Sequence, residues 1–236
     1  MITEKIPTPG RWTDRAMRIE EGGYVFRNIQ DEDGRGKAYR LRHRVFAEDL
    51  QWVPRAESEL EIDEYDAPAI HFGVFDEAGN LLAYVRLLTA DRTFMLEKEF
   101  RCTLGSDRRL QKGNEACELT RFCVEQSARG DVVRTEFGDF PLFMLLFKGL
   151  YQVSAQHDTH VIYAVTDRIV YKLLRLRGFP CELMGSPVKM PDGVVAVSIR
   201  MDWREFLSMN AIKRPDVARW FAQKSMSFLP RAMAIA

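Results

Sequence analysis

Residues 140–154 would form a helix that is apolar on nearly every side, and such a helix has no face to offer to water. It has to be buried. A strand-like run precedes it at 117–124 and another follows at 160–165; a helix at 168–177 then ends on Gly178, a residue suited to the left-handed turn that closes a helix. Earlier in the chain, 23–29 reads as a short strand, and 35–50 places Ala38, Leu41, Val45 and Phe46 on one helical stripe. Residues 70–75 and 81–88 flank a Gly-Asn turn and read as a hairpin. Strands at 181–184 and 194–201 and helices at 203–209 and 215–228 complete the pattern. Strands followed by a strand-helix-strand-helix-strand run imply an α/β domain with a mixed, twisted central sheet flanked by helices. The 236 residues, 46% of them apolar, suit one such domain. We expect an N-terminal arm over 1–22, which is polar and carries Pro7, Pro9 and Gly10, and one domain over 23–236.

Charge and apolar runs exclude several classes. Lys plus Arg and Asp plus Glu both number 34, so no global basic field exists to hold nucleic acid or an anionic membrane. The longest apolar run, near 140–147, falls short of the roughly 20 residues of a membrane span. The opening residues have no apolar core of the secretory kind, which leads us to expect a cytoplasmic protein. Cys102, Cys117, Cys123 and Cys181 lack metal or disulfide spacing and read as buried thiols. The four histidines likewise lack metal-ligand spacing, and no Ser or Cys nucleophile motif is present.

The residues that need chemistry to explain them are charges in apolar surroundings. Arg42 and Phe46 lie one helical turn apart, and a guanidinium on that face needs a partner. The acidic loop at 51–68 can supply it through Asp63 and Asp66, which would still offer a carboxylate oxygen to a ligand amine, with Trp52 at its start able to stack on a ligand; the plain alternative is a solvated loop over a helix. Arg86 lies inside Leu-Leu-Ala-Tyr-Val-Arg-Leu-Leu and is either an interior charge with a carboxylate partner or an edge residue reaching outward. Glu118 and Arg121 have odd spacing, so a regular strand would send them to opposite faces. They serve one site only if the strand is bulged there or the site wraps its end.

In order, the chain reads Arg42-x-x-x-Phe46, Trp52, Asp63-x-x-Asp66, Arg86-Leu-Leu, Met95-Leu-x-x-x-Phe100 and Glu118-x-x-Arg121-Phe. This succession strongly resembles the acyl-homoserine-lactone synthases, the autoinducer synthases of bacterial quorum sensing. Residues Ile70-His71-Phe72 after the acidic loop depart from that pattern and are similar to related acyltransferases that acylate other amines.

The resemblance implies an N-acetyltransferase-like fold with a splayed sheet whose cleft holds an acyl thioester. It implies transfer of an acyl group from acyl carrier protein or acyl-coenzyme A to the amine of S-adenosylmethionine, a substrate here and not a cofactor, then lactone closure with loss of methylthioadenosine. No metal or other cofactor is implied. Glu118, with Arg121, would be catalytic; Arg42, Phe46, Trp52, Asp63, Asp66 and Arg86 would hold S-adenosylmethionine; Phe100 and Ala164 would line the acyl chain. Synthases that use 3-oxo donors tend to carry Thr where this chain has Ala164. Arg168, Lys172 and Arg175 recur at i, i+4 and i+7, and with Lys148 they would form a basic face for an acidic carrier. The competing expectations are an N-acyl amino acid synthase of the same fold and a non-catalytic module that binds an acyl carrier.

Overall fold

The computed structural model describes residues 15–229. β1 (Ala16–Glu21) and β2 (Tyr24–Asn28) form a hairpin, α1 (Glu32–Arg42) runs on into a π-helical stretch (His43–Asp49), and an irregular segment leads to β3 (Ile70–Phe75) and β4 (Leu81–Thr89). After the short α2 (Met95–Lys98) come β5 (Ala116–Val124), the small hairpin β6 (Val132–Thr135) and β7 (Gly138–Pro141), and α3 (Leu142–Gln156). β8 (Val161–Asp167), α4 (Arg168–Leu176), β9 (Glu182–Leu183), β10 (Val188–Lys189) and β11 (Val195–Asp202) follow. α5 (Trp203–Lys213), α6 (Pro215–Ala222) and β12 (Ser227–Leu229) end the described chain.

All strands but β6 and β7 join one sheet in the order β10-β11-β8-β5-β4-β3-β2-β1-β12, with β9 also on β11. The pairing is antiparallel except between β5 and β8, which are parallel and paired only from Ala116–Val161 to Leu119–Ala164. Beyond Leu119 and Ala164 both strands continue without pairing to each other, which leaves a gap in the middle of the sheet. This is the mixed sheet flanked by helices that the sequence pattern implies.

Alternation along β4 sorts the sheet into two faces. Ala83, Val85 and Leu87 join the main core, together with Met144, Leu145, Leu146 and Leu150 of α3. The contact is close. A Cβ on Gly149 of α3 would lie 2.4 Å from the Phe26 ring. The opposite face carries two smaller apolar clusters, one around Ala38, Leu41, Phe46 and Tyr84, the other around Leu88, Phe94, Leu96 and Tyr163. Arg86 sits on β4 between Tyr84 and Leu88, so it lies between those clusters on this second face.

Two elements differ from the sequence reading. Part of the expected N-terminal arm is β1, whose Met17 and Ile19 are buried between outward Arg18 and Glu20; residues 1–14 lie outside the described residues. The last expected helix stops at Ala222, and Ser227–Leu229 pairs with β1. Cys102 is exposed, whereas the other three thiols are buried as expected.

Candidate active site

α1 delivers Arg42 to this second face. Asp31 caps the helix by accepting the Gly34 N–H at 2.6 Å, Glu32 and Asp33 complement its first turn, and Arg42 in its last turn is wholly buried. The acidic segment folds over it. Arg42 donates from Nε to Glu61 and from both terminal nitrogens to the Asp66 carboxylate, the second of these at 3.1 Å. Arg86, also fully buried, donates to Asp66 at 2.8 Å, to Asp63 at 3.0 Å, and through Nε to Thr120 Oγ1 at 2.9 Å. Arg121 closes the lattice, donating to Glu61 Oε1 at 2.9 Å and to Asp63 Oδ2 at 2.7 Å. Three guanidiniums and three carboxylates thus alternate, with formal charges that cancel. The solvated-loop alternative for Asp63 and Asp66 and the edge alternative for Arg86 are both set aside by this geometry.

Backbone hydrogen bonds hold the acidic segment. Asp63 N–H donates to Asp66 Oδ2 at 2.8 Å and Tyr65 N–H to Asp63 Oδ1 at 2.9 Å. Burial works to raise the Asp66 pKa, but Arg42 and Arg86 prevail and hold it at about 2. His71, opposite Arg86 in the β3–β4 register, bonds through Nδ1 to the Tyr84 hydroxyl at 2.6 Å and through Nε2 to the Asp66 carbonyl at 3.1 Å. Burial pushes its pKa down to about 4, so the ring is neutral near pH 7 and Nε2 carries the hydrogen that the carbonyl accepts.

Glu118 and Arg121 reach the same face because β5 is bulged. Tyr84 pairs with Cys123 and Arg86 with Thr120, so Arg121 and Phe122 together oppose Val85, and Arg121 has φ of 54°. The odd spacing is thereby undone. Glu118 is wholly buried, with Oε2 accepting the Met95 N–H at 2.6 Å and Oε1 the Leu96 N–H at 2.9 Å. Burial outweighs those two donors and pushes its pKa up to about 7. A carboxyl that exchanges its proton near neutrality, beside a dense ionic lattice, has the properties of a general base.

Phe46 and Trp52 stack with ring centroids 6.0 Å apart, and the Arg121 guanidinium lies 5.8 Å from the Phe46 ring. An aromatic shelf therefore adjoins the charges. Among the described residues no group of three or more His, Cys, Asp or Glu is placed to hold a metal, and no helix is long and apolar enough to cross a membrane.

Comparisons with known proteins identify the family and the fold. A sequence model of the family described as autoinducer synthase matches residues 28–207, which takes in α1, the acidic segment and β5. The chain belongs to the autoinducer synthase family. An acyl-homoserine-lactone synthase of Vibrio anguillarum is 31% identical over 170 residues, covering 72% of this chain and 85% of that protein. Two solved structures share the fold. The acyl-homoserine-lactone synthase LasI aligns with a TM-score of 0.65 at 22% identity, covering 76% of this chain and 89% of that one. BjaI, a coenzyme-A-dependent synthase solved with S-adenosylmethionine and isopentyl-coenzyme A, aligns with a TM-score of 0.65 at 17% identity, covering 83% and 88%.

In this autoinducer synthase the remaining expected residues fall into separate places. Ala164 is the last β8 residue paired with β5, at the apex of the gap, and packs against the main core. Phe100 packs on the opposite face with the Leu96 and Tyr163 cluster, so the two do not line one wall. Arg168, Lys172 and Arg175 are exposed on α4. Lys148 does not join them. It is wholly buried, its ammonium 2.7 Å from Glu21 and 5.0 Å from the Trp220 ring centroid, because α3 has no solvated face on which to leave a charge. Glu61 and Thr120 belong to the site and were not singled out from the sequence; His71, noted there only within Ile70-His71-Phe72, belongs to it as well. The sequence carried no signal for Glu61: alternation along 61–63 would by itself turn the apolar Ile62 inward, whereas Ile62 is 55% exposed and the acids face the arginines.

Proposed function

We propose that this chain joins an acyl thioester to the α-amine of S-adenosylmethionine and releases an acyl-homoserine lactone and methylthioadenosine. The observation that carries the reading is Glu118, a buried carboxyl with a pKa near 7, beside a neutral lattice of three arginines and three acids in a member of this family. The acceptor is a cation with a carboxylate, an ammonium and a sulfonium. Asp63, 20% exposed on its side chain, presents an oxygen to the ammonium; Arg86 and Arg121 hold its carboxylate, and Asp66, itself held by Arg42, pairs with Arg86. The Phe46–Trp52 shelf takes the adenosine end.

Glu118 removes a proton from the ammonium directly or through one water. The amine then attacks the thioester carbonyl, whose oxyanion is met by backbone N–H groups of the Arg121–Phe122 bulge. Collapse expels the thiolate, which takes up a proton. The methionine carboxylate next attacks the carbon attached to the sulfonium, closing the lactone as methylthioadenosine leaves as a neutral thioether. The donor lies in the gap between β5 and β8, its chain passing Ala164 on one face with Phe100 bordering the other. The coenzyme-A-dependent synthase of the same fold supports a thioester donor. Exposed Arg168, Lys172 and Arg175 favour acyl carrier protein as its bearer, and the setting is the cytoplasm.

Incubation of the purified protein with S-adenosylmethionine and acyl carrier protein or coenzyme A thioesters, followed by mass spectrometry, tests the reading. Acyl-homoserine lactone and methylthioadenosine in equal amounts are expected. Acylated amino acid without methylthioadenosine would assign the chain to the N-acyl amino acid synthases, and no turnover of thioester would leave only a binding module.

A further inference from the structure

Met95 spans the distance between Glu118 and the arginine lattice. Its N–H is bound to the Glu118 carboxylate, and its thioether lies 3.3 Å from Arg86 Nη2 and 3.7 Å from Arg121 Nη1. The other hydrogen bonds of these two guanidiniums go to carboxylates or to the Thr120 hydroxyl, all strong acceptors. A thioether is a weak one. Met95 is only 5% exposed and Arg86 is wholly buried, so water does not serve the Arg86 N–H in its place, while Arg121 keeps 15% of its side chain exposed. The site therefore spends two charged donors on a poor acceptor, carried by an unbranched side chain that changes rotamer at low cost.

We propose that the Met95 thioether is a displaceable stand-in for the α-carboxylate of the acceptor, and that Met95 is a positioning residue which swings out as that carboxylate bridges Arg86 Nη2 and Arg121 Nη1. The inference rests on the reading of S-adenosylmethionine as the acceptor. It gives that reading an orientation. One residue joins the carboxylate seat to Glu118, so an amine one carbon away from the carboxylate is turned toward the base. It also sets a requirement on the acceptor: an amine without a neighbouring carboxylate has no means of replacing the thioether.

Calorimetric binding of S-adenosylmethionine and of decarboxylated S-adenosylmethionine to the wild type, Met95→Leu and Met95→Gln tests the proposal. Leucine removes the acceptor and leaves two donors unsatisfied, so S-adenosylmethionine should bind roughly two- to tenfold more tightly. Glutamine, of similar length, supplies an amide oxygen that the carboxylate must displace, so binding should weaken by roughly the same factor. The decarboxylated compound should bind all three proteins alike. General damage to the site would move both variants the same way, and that result, or equal shifts for the two ligands, would overturn the proposal. Absence of S-adenosylmethionine binding to the wild type would instead remove the acceptor assignment, and this inference with it.

Discussion

The Met95 N–H donates to Glu118 Oε2 at 2.6 Å, which ties the proposed base to the segment that borders Arg86 and Arg121. Two of the four lone-pair positions of the carboxylate are thereby filled by Met95 and Leu96, and two stay open for an amine or a water. The bonds fix the direction of those open positions, and burial sets the pKa. A base needs both.

The rate should accordingly carry an acid limb. With Glu118 titrating near 7, kcat/KM should rise with pH through that value, and Glu118→Gln should lower acylation by roughly 10²–10⁴ and abolish the limb. Stability moves the opposite way. The unfolded side chain loses its proton near 4.5 and the folded one near 7, so between them the folded state binds more protons and stability falls as pH rises. At 1.36 kcal/mol per pKa unit this cost is on the order of 3 kcal/mol above pH 7. Urea unfolding at pH 5 and pH 8 should therefore show the stability of Glu118→Gln relative to wild type improving as pH rises. A pH-independent difference would contradict the raised pKa.

Asp66 should behave conversely. Its folded pKa of about 2 lies below the ordinary 3.8, so its stabilisation is complete above 3.8 and is lost as pH falls toward 2. Asp66→Ala leaves Arg42 and Arg86 each short of a partner and should cost about 3–5 kcal/mol of folding stability. Adding Arg42→Ala should cost much less than its single effect, because the charge it would otherwise strand has gone. Additive losses in denaturant unfolding would show that the lattice does not act as a unit.

The site was legible in the sequence wherever a charge interrupted an apolar pattern, as at Arg42 and Arg86, because an unpaired interior charge is too costly to leave without a partner. The bulge at Arg121 was legible only as a condition on Glu118 and Arg121 sharing a site. Glu61 was hidden in a run of acids where composition does not say which side chain turns inward. β1 was missed although Met17, Arg18, Ile19 and Glu20 alternate as a strand should, since a polar terminal segment without a strong apolar run reads as an arm. Lys148 was misread by placing its charge on a face that an all-round apolar helix does not have.

That correction separates two lysines. Lys148 pairs with Glu21, which also accepts from Trp220 Nε1 at 2.7 Å, so the group ties α3 to β1 and α6. Lys148→Ala should destabilise the fold by roughly 3–5 kcal/mol while leaving the KM for an acyl-carrier donor unchanged. Charge reversal at the exposed Lys172 and Arg175 should raise that KM and flatten its salt dependence with little change in Tm. Steady-state kinetics against salt, alongside thermal unfolding, checks both; a raised KM in Lys148→Ala would return it to the docking face.

Ala164 should decide the oxidation state of the acyl chain. It lies where β8 and β5 part, paired with Leu119 on one side and Ile199 on the other, so a donor seated in the gap passes its methyl group. That methyl offers no hydrogen-bond donor. A 3-oxo oxygen held against it would lose its partners in water without gaining one, at about 1–3 kcal/mol, or roughly ten- to a hundredfold in kcat/KM. Unsubstituted donors should therefore be preferred over 3-oxo donors of equal length. Ala164→Thr adds a hydroxyl at the same point of the sheet, and Thr is at home in a strand, so the fold should tolerate it while the preference narrows or reverses. Matched donors turned over by the two proteins give the comparison directly. A wild-type preference for the 3-oxo donor, or an unaltered ratio in Ala164→Thr, would place the acyl chain away from this residue.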